Sequence, residues 1–151
     1  MGMDVYGKAP TAPEGEYFRR NMLNWGRLVD CVTTLCPEET TPCKGWNYNG
    51  GDGLNADGAA AVAAKLEALR DSGDVAAYCA ARDAWADQAF NGGTGFGPAK
   101  SMAKAAKDHF AALAAAAGLS DAAVMPARRF SPSEVNEFIA FLKASGGFEI
   151  W

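Results

Sequence analysis

Between Glu14 and Leu35 the apolar residues Phe18, Leu23, Trp25, Leu28, Val29, Val32 and Leu35 recur mostly three or four positions apart, with Arg19, Arg20, Arg27 and Asp30 between them. That spacing lays a single apolar stripe along a helical surface and predicts an amphipathic helix over 14–35. Pro37 stops it, because a proline lacks the amide hydrogen a helix needs, and Pro42 keeps the next segment extended or turned. A second helix is expected to start at Asn55 or Asp57, either of which can cap it, and to run through Val62, Leu66 and Leu69 before Gly73. A third, from Asp74 to about Ala89, carries Val75, Tyr78, Cys79 and Trp85. Its short link to the second predicts an antiparallel helical pair.

The end of the chain has a sharper local grammar. Ser131-Pro132-Ser133-Glu134 reads as a capping box with proline at the first helical position, and Phe130 and Val135 are spaced to staple it. Phe138, Ile139, Phe141 and Leu142 give the following helix a bulky face, and Gly146 with Gly147 ends it. Phe148-Glu149-Ile150-Trp151 then alternates as a strand does, with large side chains that need cover. Between these regions, Asn91 to Pro98 is rich in glycine and Ala99 to Gly118 is almost all alanine, which favours helix but buries little area. Residues 91–125 therefore read as an inserted peripheral helix on a glycine hinge. A length of 151 residues fits one domain. The expectation is a mainly α-helical single compact domain of four to five helices with a minor short extended element at the termini.

Charge and hydropathy narrow the function classes. The net charge of −4 and the scatter of the 14 Lys and Arg leave no basic stripe for duplex nucleic acid. The longest apolar run, near Ala111 to Ala117, falls far short of the roughly 18–20 residues that span a bilayer. With no charged-then-apolar leader over Met1 to Pro10, a soluble cytoplasmic protein with reduced thiols is expected.

Several motifs fail on their own chemistry. In Gly92 to Ser101 the lysine does not follow the last glycine, because Pro98 and Ala99 intervene, so a phosphate loop is not formed. A calcium loop centred on Gly58 would need oxygen ligands where Gly53 and Ala64 stand. Cys31, Cys36, Cys43 and Cys79 lack the close pair of a zinc knuckle, which leaves buried thiols or a Cys36–Cys43 disulfide as the alternatives. His109, the only histidine, sits among Lys104, Lys107 and Asp108 with no nucleophile assigned to it. The pairs Glu14/Glu16 and Glu38/Glu39 suit a helix start and a solvated turn. No motif calls for a metal or a cofactor.

One stretch survives this pruning. Trp46-Asn47-Tyr48-Asn49-Gly50-Gly51-Asp52-Gly53-Leu54 crowds aromatic, amide and carboxylate groups onto turning glycines. Trp46 and Tyr48 can stack on a sugar or nucleobase while Asn47, Asn49 and Asp52 bond its edge. Arg19, Arg20 or Arg27 from the first helix can then neutralise an anionic group. The competing reading makes Trp46 a core plug and Asn49-Gly50 a tight turn. Three function classes follow: a non-catalytic binding domain for a small polar ligand, nucleotide-like or sugar-like; a protein-interaction or self-associating module; and a small enzyme using Asp52 with Arg27. A pocket containing Trp46, Tyr48 and Asp52 favours the first, and a contiguous exposed apolar patch the second.

The segment MDVYGKAPTAPEGEYFRRN (Met3 to Asn21), the GDGL of Gly51 to Leu54 and the closing SGGFEIW (Ser145 to Trp151) together resemble a family of small bacterial and phage-encoded proteins with no assigned activity. The resemblance covers about half the chain. Members carry a run like WWWRPL where this chain has Leu23-Asn24-Trp25-Gly26-Arg27-Leu28. Two aromatics are missing and the arginine stands one residue late, a rotation of about 100° on a helix. The resemblance implies a shared fold, and a phage context would suit a protein that sequesters a signalling molecule. It leaves open whether Tyr6 and Lys8 belong to the same site as the aromatic loop.

Overall fold

Among the described residues, both ends of the chain and a short segment near its middle meet in a four-stranded antiparallel sheet, with four helices layered over one of its faces. The computed structural model describes residues 2–91 and 130–151, with side chains as far as residue 84 and again from 130. In chain order these residues form β1 (Gly2–Gly7), a single helical turn (Pro13–Gly15), β2 (Tyr17–Asn21), α1 (Met22–Leu35), β3 (Asp52–Leu54), α2 (Ala56–Asp71), α3 (Asp74–Asn91), α4 (Pro132–Ser145) and β4 (Phe148–Ile150). The strand order is β2-β1-β4-β3. Val5 stands opposite both Phe18 and Ile150, and Leu54 opposite Phe148.

The fold is therefore mixed α and β, which corrects the expectation of a mainly helical domain with a minor extended element. The helix expected over 14–35 divides: Tyr17 to Asn21 is a strand, and helix begins only at Met22. Asn21 sets that boundary by accepting the Asn24 backbone N–H on its side-chain oxygen at 2.9 Å. Over so few residues a spacing of three or four and an alternation of two are hard to tell apart, and Phe18 satisfies both. Pairing with β1 decides in favour of the strand, because it sends Phe18 inward and Arg19 outward.

Other boundaries fall close to the expected ones. Asn55 caps α2 by accepting the Gly58 N–H at 2.8 Å. Glu134 reaches back to the Ser131 N–H at 3.3 Å with Pro132 at the first position of α4, and Phe130 and Val135 are both buried. Gly146 ends α4 at φ 61°, a left-handed conformation that glycine adopts without steric cost. Beyond Asn91, the expected insert, the glycine-rich 92–101 and His109 lie outside the described residues.

The core lies between the helices and the inner face of the sheet. Phe138 of α4 stacks on Phe141 and meets Phe18, Trp25 and Phe148 at centroid distances of 5.3 to 6.3 Å. Trp25 and Trp46 stack at 6.5 Å, and the Trp25 indole donates to the Trp46 carbonyl at 2.6 Å. Arg20, at the rim, lays its guanidinium 4.3 Å from the Phe18 ring, pairs with Glu137 of α4 and donates to the Arg19 carbonyl at 2.8 Å.

Candidate functional site

The aromatic loop does not converge on a ligand as a unit. Trp46 is only 6 % exposed, and its indole donates to the Thr40 carbonyl at 3.2 Å, so it serves the core. Asp52 is an internal clasp: one carboxylate oxygen accepts the N–H groups of Lys44 and Gly45 at 2.8 and 2.6 Å, and the other accepts that of Gly53 at 2.8 Å. These backbone donors hold its pKa below the usual carboxylate value. Asn47, Tyr48 and Asn49 are exposed, Tyr48 by 73 %. The three arginines part company. Arg19 lies on the outer face of the sheet, Arg20 is tied to Glu137 at the inner rim, and Arg27 stands on α1 with Asn24 within 3.4 Å.

What the fold does assemble is the outer face of the sheet. Strand alternation sends Met3, Val5, Phe18, Phe148, Ile150 and Leu54 inward, and the residues between them outward. Tyr17 on β2 meets Tyr6 on β1 at 5.1 Å between ring centroids. Beside them Trp151 continues β4, exchanging backbone hydrogen bonds with Asp4 at 3.0 and 2.7 Å. Tyr6, Tyr17 and Trp151 are 48, 44 and 52 % exposed. No described element covers them.

Charges surround these rings in matched pairs. Arg19 Nε lies 3.5 Å from Asp4 and Lys8 Nζ lies 3.8 Å from Glu149. The Tyr17 hydroxyl donates to Asp4, which raises its pKa and keeps the phenol protonated at neutral pH. The Trp151 indole N–H stands 3.4 Å from Glu149. Under the indole ring is Gly51, at φ 76°, where an added Cβ would come within 2.7 Å of the ring. Gly51 thus gives Trp151 its seat, and Tyr48 lies three residues earlier in the turn that enters this edge.

Two further features complete the chemistry. All four cysteines are free and buried, so no Cys36–Cys43 disulfide is formed. Burial pushes the Cys36 thiol up to about 12 and the Cys43 thiol up to about 11, which leaves both protonated and unreactive. Between α1 and α3, half-buried Asp30 faces Arg82, whose Nε is buried without a hydrogen-bond partner among the described residues. Among the described residues no group of three or more His, Cys, Asp or Glu is placed to hold a metal ion. No described helix is long and apolar enough to cross a membrane.

Compared with protein-family models, curated proteins and solved structures, the chain finds no match in any of the three. The site therefore stands on its geometry. Sequence reasoning singled out the loop and passed over Tyr17 and Trp151 as contact residues. The signal that finds them is the alternation of Tyr17-Phe18-Arg19 and of Phe148-Glu149-Ile150-Trp151, in which every second residue faces out.

Proposed function

We propose that this chain is a non-catalytic binding domain for a polar ligand built of flat rings, nucleotide-like or sugar-like, and that its contact surface is the open sheet face. The observation that carries this reading is the set of Tyr6, Tyr17 and Trp151, each about half exposed on one face. Tyr and Trp combine an apolar ring with a polar tip and suit a surface that is wet when free and stacked when occupied. The other outward side chains are Asp4, Lys8, Arg19, Asn21 and Glu149, with no aliphatic residue among them. A protein–protein interface core is depleted of charge, so this composition favours a polar ligand.

A second reading rests on a different place. Met22 and Leu23, at the start of α1 beside the edge strand β2, are 55 and 72 % exposed and offer an apolar contact to a protein partner or a second copy. A thermal-shift screen against sugars and nucleotides separates the two. A ligand that raises Tm for the wild type and for Asn47→Ala, but not for Trp151→Ala or Tyr6→Ala, supports the face. Stabilisation lost in Asn47→Ala and kept in both ring variants returns the site to the loop. The interaction reading instead expects self-association in sedimentation that Leu23→Glu abolishes.

A further inference from the structure

We infer that the ligand of the open face is an uncharged, linear oligosaccharide, an assignment that rests on the binding role proposed above and narrows it. Charge decides between the two ring chemistries. Both cations of the face are already matched, Arg19 with Asp4 at 3.5 Å and Lys8 with Glu149 at 3.8 Å. A phosphate approaching either cation meets a carboxylate beside it, and that repulsion offsets the attraction. Sugar hydroxyls meet no such conflict, because each both donates and accepts. Loosely matched charge pairs leave carboxylate lone pairs and ammonium or guanidinium hydrogens available to them.

The layout of the rings gives the shape of the ligand. Tyr17 and Tyr6 stand opposite each other on β2 and β1, while Trp151 follows β4 opposite Asp4, two residues along from Glu149, the partner of Tyr6. Successive strands lie about 4.8 Å apart and alternate residues of a strand about 7 Å apart, so the three rings run diagonally across the sheet over roughly 12 Å. A sugar ring is about as long as one such step, and its C–H face stacks on an aromatic ring as an apolar surface does. Because the face is open, it covers only one side of its ligand. A single ring buries too little area to offset the entropy of binding, and a chain of rings engages several stacking positions at once.

The test is a titration followed by NMR on the Trp151 indole N–H and the Tyr6 and Tyr17 ring signals. The probes are cellohexaose, maltohexaose and chitohexaose in one arm, and AMP and cyclic di-GMP in the other. Saturable shifts with at least one hexasaccharide are expected, about tenfold weaker or absent in Trp151→Ala and in Tyr6→Ala. The affinity should change less than about twofold between 0.05 and 0.5 M salt, since no net charge is neutralised. Saturation by a nucleotide with no response to the sugars overturns the oligosaccharide assignment and leaves the ring-binding role standing. No response in either arm overturns both. Shifts that track protein concentration alone assign the face to a second copy of the chain and overturn both as well. Unchanged amide spectra outside the face in Trp151→Ala and Tyr6→Ala show that lost binding is not lost folding.

Discussion

The two faces of one sheet carry aromatic residues drawn from the same strands, yet they use different kinds. The inner face takes Phe18 and Phe148 and packs them against Trp25, Phe138 and Phe141; the outer face takes Tyr6, Tyr17 and Trp151. A ring without a polar atom is satisfied inside, whereas a phenol or indole keeps one edge for water or a ligand. Alternation along the strand does the sorting. The comparison teaches that an aromatic's role in this sheet follows from its parity in the strand.

The largest expected contrast is in stability. Trp25→Ala or Phe148→Ala should cost about 3–5 kcal/mol in urea denaturation, because each leaves a cavity in a closed core. Tyr6→Ala and Trp151→Ala should cost no more than about 1 kcal/mol, the range of a cross-strand pair. Equal losses from both faces would erase the distinction. Next comes Gly51→Ala, which forces a side chain into a left-handed conformation at φ 76° and displaces the Trp151 ring. A cost of about 1–2 kcal/mol is expected, together with weakened ligand binding.

Acid should act on the loop side of the sheet through Asp52. Its pKa is lowered in the folded state by the N–H groups of Gly53, Gly45 and Lys44. Its contribution is therefore complete above the ordinary carboxylate value and fades as the pH falls below about 3.8 and through the lowered pKa. Tm measured against pH should drop less steeply in Asp52→Asn across that window, and parallel curves would show that the clasp contributes nothing. The smallest effects belong to the outer ion pairs. Lys8→Ala and Arg19→Ala should each change stability by no more than about 0.5–1 kcal/mol, as exposed pairs do. A larger loss would mean that the outer face supports the fold as well as recognition.

Much of the helical layer was legible in the sequence, because its signals are local. Asn55, Ser131-Pro132-Ser133-Glu134 and Gly146 each fix a helix end by chemistry within a few residues. The sheet was not, because its strands are short and pair across great separations: β1 joins β4 through Val5 and Ile150, near opposite ends of the chain. Three-residue β3 carries too little pattern to declare itself, whereas β4 shows in the alternation of Phe148-Glu149-Ile150-Trp151 but not the partners it pairs with. The site was missed for the same reason. Trp46 read equally as a ligand contact or a core plug, and the fold decides for the core; Asp52 looked available in a glycine-rich loop, and only the fold shows it spent on backbone amides.

Arg20 has a consequence for how such a sheet survives in a crowded solution. The Gly7 N–H bonds to the Glu16 carbonyl, so the antiparallel rhythm turns the backbone of Tyr17, Arg19 and Asn21 away from β1, toward the open side of β2. An unpaired strand margin of this kind invites the next chain to add itself and begin a fibril. Arg20 occupies the Arg19 carbonyl from within its own molecule and anchors that plug on Glu137. The sheet can then keep a bare, ring-studded surface while a carbonyl in the middle of its border is withheld from an incoming strand.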